Sequence, residues 1–160
     1  MSAAEVEAHL RKKGVASAEV AAVVKRLTGF GYVDDARYAS DYIATRGRSR
    51  ALGPARLRSE LARRGISRKI VDSALARARE EGSVPIDDAS RALEKLLRGK
   101  KAPVDRKGRD RLRAALARRG FGGAAIARAM LDLRSRGGAR DEADAVNEME
   151  EPDDREEDQT

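Results

Sequence analysis

Two adjacent carboxylates, Asp34-Asp35, and a recurring set of arginines are the residues in this chain whose types and spacing could do chemistry. Paired carboxylates can act as acid and base or hold a divalent cation, but both roles need partners in reach. His9 is the only histidine and there is no cysteine, so neither a zinc set nor a thiolate nucleophile can be assembled. No G-x-x-x-x-G-K-[ST] phosphate loop occurs. Asp34-Asp35 therefore read as the N-cap and first acidic residue of a helix, placed at the positive end of its dipole. No catalytic residue, metal or cofactor is expected.

The arginines point to binding. At about 100° per residue, Leu57 and Leu61 centre the apolar face of one helix. Arg56, Arg58 and Arg63 then fall on its outer side and Arg64 near the boundary. Arg111, Arg113, Arg118 and Arg119 repeat the arrangement further on. The matching residues near the N-terminus are Glu5, Glu7, Lys12 and Lys13, so the basic ridge belongs to the later copies. Arg46, Arg48 and Arg50 extend it in what reads as a flexible linker. Guanidinium groups can hold carboxylates or phosphates through two parallel hydrogen bonds. This ridge is the candidate surface for an acidic partner or DNA; a solvated charged face is the alternative. Tyr38 and Tyr42 lie on an apolar stripe, which favours packing over base stacking.

The elements that position these residues recur. Gly14, Gly65 and Gly120 are 51 and 55 residues apart. Four residues before them stand Leu10, Leu61 and Leu116, and four before those Val6, Leu57 and Leu112. Val15, Ile66 and Phe121 follow the glycines; Val20, Val71 and Ile126, then Val24, Leu75 and Met130, come after. Apolar residues four apart make one helical face, and a glycine directly behind it suits a C-cap. Each copy is thus a helix, a tight turn and a longer helix, starting again near Ser17, Ser67 or Gly122 and closing on Gly31, Gly82 or Gly137. A third helix follows twice, at Asp34-Asp35 and at Asp87-Asp88, with Pro85 helping to end the segment before it.

The expected architecture is all-α: tandem three-helix repeats in an elongated, curved array, the third repeat truncated. The expected modules are residues 1–46, 51–99 and 106–138, with an acidic tail at 139–160. Linkers are expected at 45–51 and 98–108. The net charge of +7 conceals a division. Residues 141–160 hold eleven acids and one base, a charge of −10, leaving +17 on residues 1–140. Such a tail buries too little apolar surface to order and is expected to be disordered, either folded back on the basic body or solubilising it. No apolar run approaches the ~20 residues of a membrane span, and the first residues do not read as a signal peptide, so a cytoplasmic, monomeric protein is expected.

Two stretches resemble signatures of the RecX family. They are Gly31-Tyr32-Val33-Asp34-Asp35-Ala36-Arg37-Tyr38-Ala39 and Gly53-Pro54-Ala55-Arg56-Leu57-Arg58-Ser59-Glu60-Leu61-Ala62-Arg63-Arg64-Gly65-Ile66. Their order and separation match the family. The likeness is strongest over 27–75 and extends more weakly over about 5–136. It implies a regulator that binds RecA within the filament groove and lowers ATP hydrolysis and strand exchange, some members also binding DNA. The acidic segment lies outside the shared pattern. Two other readings stand beside this one: a DNA-binding helical repeat protein acting without RecA, and a helical scaffold for peptides. Residues 61–71 could pass as a helix-turn-helix, but the same turn occurs three times, which a repeat explains and one recognition helix does not.

Overall fold

The computed structural model describes residues 1–82, 87–100, 103 and 105–148, with side chains through 136. Among the described residues there are eight helices and no strand: α1 (Ala3–Lys12), α2 (Ser17–Gly29), α3 (Asp35–Arg50), α4 (Pro54–Ala62), α5 (Arg68–Glu80), α6 (Ser90–Leu97), α7 (Arg106–Arg118) and α8 (Gly123–Glu148).

The three glycines do what their spacing predicts. Each follows a helix end with positive φ: Gly14 at 85°, Gly65 at 75° and Gly120 at 88°. The amide after each one donates back to the leucine carbonyl five residues earlier, so Val15, Ile66 and Phe121 fold onto the helix they leave. Capping is also as expected at α3, where the Asp34 carboxylate accepts from the Ala36 and Arg37 amides, both at 2.9 Å. At α6 the duty is divided. Asp88 accepts from the Ser90 amide, while Asp87 pairs with Arg79 of α5.

How helices group differs from the expected division. Ala39 and Ile43 of α3 share a buried cluster with Leu57, Leu61, Ile66, Val71 and Leu75 of α4–α5. Ala92 and Leu93 of α6 share another with Leu116, Phe121, Ile126 and Met130 of α7–α8. The third helix therefore packs forward onto the next hairpin, and the unit short of a helix is the first, α1–α2, rather than the last. The reason is apolar area. Leu57, Leu61 and Leu75 are fully buried in the cluster with α3, each contributing roughly 1.5–3 kcal/mol, whereas the first hairpin has the smaller Val6 and Val24 where the second has Leu57 and Leu75. Accordingly α1 has no buried residue, and Val6 and Leu10 stay half-exposed.

Two further expectations need correction. The segment expected as a flexible linker, 45–51, is the last turns of α3; Gly47 is buried there, and the helix stops only at Ala51, whose φ is 49°. The closing glycine at 137 does not end a helix: α8 continues to Glu148. Ala139, Arg140, Glu142, Ala143 and Ala145 are strong helix formers and offset the roughly 1 kcal/mol cost of each glycine. The expected tail thus begins as helix over 139–148, its remainder and the Pro85 signal lying outside the described residues.

Candidate partner-binding surface

The arginines are set by two junctions of the same design. Each packs the glycine turn of one hairpin onto the first turn of the preceding hairpin. At the first junction, a Cβ on Gly65 would overlap that of Ala4. At the second, a Cβ on Gly120 would overlap the Arg56 backbone, and one on Gly53 would meet the Gly120 carbonyl. Main-chain bonds seal this second contact: the Gly53 amide donates to the Arg119 carbonyl (2.8 Å) and the Ala55 amide to that of Gly120 (3.1 Å).

Polar side chains complete the first junction. The Ser2 hydroxyl, fully buried, donates to the Arg64 carbonyl at 2.6 Å and accepts from the Glu5 amide. The Ala3 amide donates to the Asp35 carboxylate, so the second acid of the Asp34-Asp35 pair anchors α1. Arg64 pairs with Glu5 at 2.6 Å and lies 5.3 Å over the Tyr42 ring, with Arg46 at 5.5 Å from the same ring. The Tyr42 hydroxyl donates to Glu60 at 2.6 Å, and the ring stacks on Tyr38, 6.1 Å away. Both tyrosines pack against the α3–α5 core, as the apolar stripe suggested.

The electrostatics follow from these contacts. Burial pushes Glu5 up, but the Ser2 amide and the Arg64 guanidinium outweigh it and hold the carboxyl below its ordinary value. The Tyr42 hydroxyl, against burial and with help from Arg56, holds Glu60 low. Burial and the Glu60 carboxylate push the Tyr42 phenol up. Asp72 is held low chiefly by Arg58, whose bond of 2.7 Å ties α4 to α5.

The predicted binding arginines thus divide. Arg64, Arg58 and Arg46 are engaged by the scaffold, and Arg119 donates to the Arg50 carbonyl at 2.9 Å across the second junction. Arg56, Arg63, Arg111, Arg113 and Arg118 are exposed. Of these, Arg56 meets Glu60 (2.8 Å) and Arg113 meets Asp110 (2.9 Å) within their own helices. Arg48 and Arg50 are exposed at the end of α3. Arg56 and Arg63 lie on the outer face as periodicity suggested, but Arg58, expected beside them, is half-buried against Asp72 of α5, and periodicity could not show which outer arginines reach a neighbouring unit.

Sequence reasoning missed a basic cleft. Arg48, Thr45, Ser49 and Ala44 of α3 meet Arg91, Lys95 and Arg98 around a volume of about 530 Å³. The signal was present as three bases at one-turn spacing, 91, 95 and 98, on one face of α6. It also missed an exposed aromatic pair, Phe30 and Tyr32, set edge to face with centroids 6.4 Å apart. No helix among the described residues is long and apolar enough to cross a membrane.

Comparisons with known proteins agree with this architecture. A model of the second three-helix domain of RecX matches residues 34–75, the span in which α3, α4 and α5 pack together. Regulatory protein RecX of Geobacillus kaustophilus (strain HTA426) is 34% identical over 128 residues, covering 80% of this chain and 47% of that protein. The chain spans about half the length of this and several other curated relatives. Regulatory protein RecX of Xanthomonas campestris pv. campestris (strain B100) is 35% identical over 124 residues, covering 76% of this chain and 72% of the relative. The crystal structure of RecX from Lactobacillus salivarius shares the fold, with a TM-score of 0.70 over 83% of this chain and 85% of that one, at 22% identity. With the signature stretches placed on α3 and α4, and with a relative matched along most of its length, the chain belongs to the RecX family of non-enzymatic regulatory proteins.

Proposed function

We propose that this chain binds RecA filaments and restrains their ATP hydrolysis and DNA strand exchange, as a cytoplasmic monomer with auxiliary affinity for DNA. Family membership carries this reading. The exposed arginines support it: Arg56, Arg63, Arg111 and Arg118 point away from their own cores, so folding does not require arginine there. From Arg106 to Arg136 the chain holds ten bases and two acids, a surface suited to carboxylates or phosphates. The sequence holds no G-x-x-x-x-G-K-[ST] phosphate loop, so on this reading ATP turnover is the partner's.

The test is direct. The protein is added to preformed RecA filaments, and ATP hydrolysis and strand exchange are followed. A dose-dependent fall in both is expected. Unchanged rates at saturating protein, with DNA binding intact, would leave the reading in which the chain acts on DNA without RecA.

A further inference from the structure

We propose that the cleft between the end of α3 and α6 binds the phosphodiester backbone of a nucleic-acid strand. This deepens the auxiliary DNA affinity proposed above and rests on that part alone, not on contact with RecA.

The lining fixes the ligand's charge. Arg91, Lys95 and Arg98 meet Arg48 in the cleft, with no carboxylate among its described lining residues. The acid beside them on α6, Glu94, takes Arg136 of α8 at 3.3 Å. On α3, Asp41 lies one turn from Thr45 and faces Arg37 at 4.0 Å. The cleft therefore carries concentrated positive charge, and Thr45 and Ser49 add hydroxyls that can donate to anionic oxygens.

Lys95 has a different task from its neighbours. Its ammonium donates to the main-chain carbonyls of Arg48 and Ser49, at 3.2 and 2.7 Å. Two of its three donors thus fasten α6 to the C-terminal end of α3, where the helix dipole favours a cation. Lys95 is a positioning residue. It sets Arg91, one turn before it, and Arg98, one turn after it, on the same side of the junction. Both are exposed.

A strand fits better than a protein segment. Among the described lining residues only Ala44 is apolar, so an incoming peptide would find little apolar floor there. Protein contacts draw most of their affinity from buried apolar anchors, whereas phosphate contacts need only charge and donors. The cleft also joins two packing units, so a backbone can run along the seam with successive phosphates against α3 and α6.

The experiment uses the full chain, a fluorescein-labelled oligothymidylate and a salt series, with no recombinase present. R91A/R98A is expected to bind about three- to tenfold more weakly at low salt. Its slope of log affinity against log salt should fall by about 1.4, the loss of two single-strand phosphate contacts. R91K/R98K should keep most of the slope, and K12A/K13A at the end of α1 should keep all of it. Inorganic phosphate at fixed ionic strength should not displace the strand; displacement would mean a site for the free ion and would overturn the proposal. An unchanged slope in R91A/R98A, or an equal loss in K12A/K13A, would also overturn it. In a separate assay on RecA filaments, R91A/R98A binding the strand normally but no longer restraining the filament would also overturn it, since the cleft would then be a protein contact. No binding by the parent chain would overturn the DNA affinity itself, separately from its location.

Discussion

The hydroxyl of Ser2 donates a 2.6 Å hydrogen bond to the main-chain carbonyl of Arg64, 62 residues away. Ser2 also caps α1 through the Glu5 amide, and its own amide is held by the Glu5 carboxylate at 3.0 Å. One buried side chain thus starts the first helix and fastens it to the end of α4. Ser2→Ala removes both bonds and should lower stability by about 1–2 kcal/mol. Urea unfolding measures this; a change within experimental error would mean the first hairpin does not depend on that anchor.

The aligned glycines have the same backbone conformation but different surroundings, so the same substitution should separate them. Gly14→Ala meets open space and bears only the left-handed backbone cost, about 1–2 kcal/mol. Gly65→Ala must displace Ala4, and Gly120→Ala must displace the backbone of Arg56. Loss of stability should rise in that order. Equal unfolding midpoints for the three variants would show that the junctions yield freely.

Acid should loosen the first junction. Glu5 and Glu60 are both held below their ordinary value of 4.5 in the folded chain. A depressed carboxylate contributes stability above its unfolded value and loses it as pH falls through the folded one. Melting temperature should therefore hold near neutrality and decline as pH drops from about 4.5. In Glu5→Gln the decline should be shallower, because the charge on Arg64 no longer titrates against a partner. An identical acid limb in parent and variant would contradict this.

The exposed arginines should act together. R56A/R63A/R111A/R118A should keep the helix content and cooperative melting of the parent, since among the described residues the ion pair lost is Arg56–Glu60 within α4. It should restrain RecA filaments less well. Exposed pairs contribute only ~0.2–1 kcal/mol each, so single changes should show little. Parent-like inhibition by the folded quadruple variant would place the contact elsewhere.

The acidic segment offers a fifth check. Deleting residues 141–160 removes a charge of −10 beside a body of +17 and should tighten DNA binding at low salt. Equal binding would leave a solubilising role.

Local spacing alone determined the repeated hairpin. Leu61, Gly65 and Ile66, and their equivalents, specify a helix, a left-handed turn and a return, because a helical face and a positive-φ glycine are properties of neighbouring residues. The Asp34 cap and the outward placement of Arg56, Arg63, Arg111 and Arg118 were legible for the same reason. The tertiary structure decided which hairpin each third helix covers. The stripe of Tyr38, Ala39, Tyr42 and Ile43 says that α3 must pack, but its partner depends on the apolar area presented by the hairpins on either side. Likewise, Arg64 and Arg111 carry the same charge, yet Arg64, in the turn after α4, meets Glu5 across a junction and Arg111 of α7 is exposed. The cleft of Arg48, Arg91, Lys95 and Arg98 exists only because α6 is fastened to the end of α3, a contact between residues more than forty positions apart. Periodicity tells a side chain which way to face; only packing of distant segments tells it what it will find there.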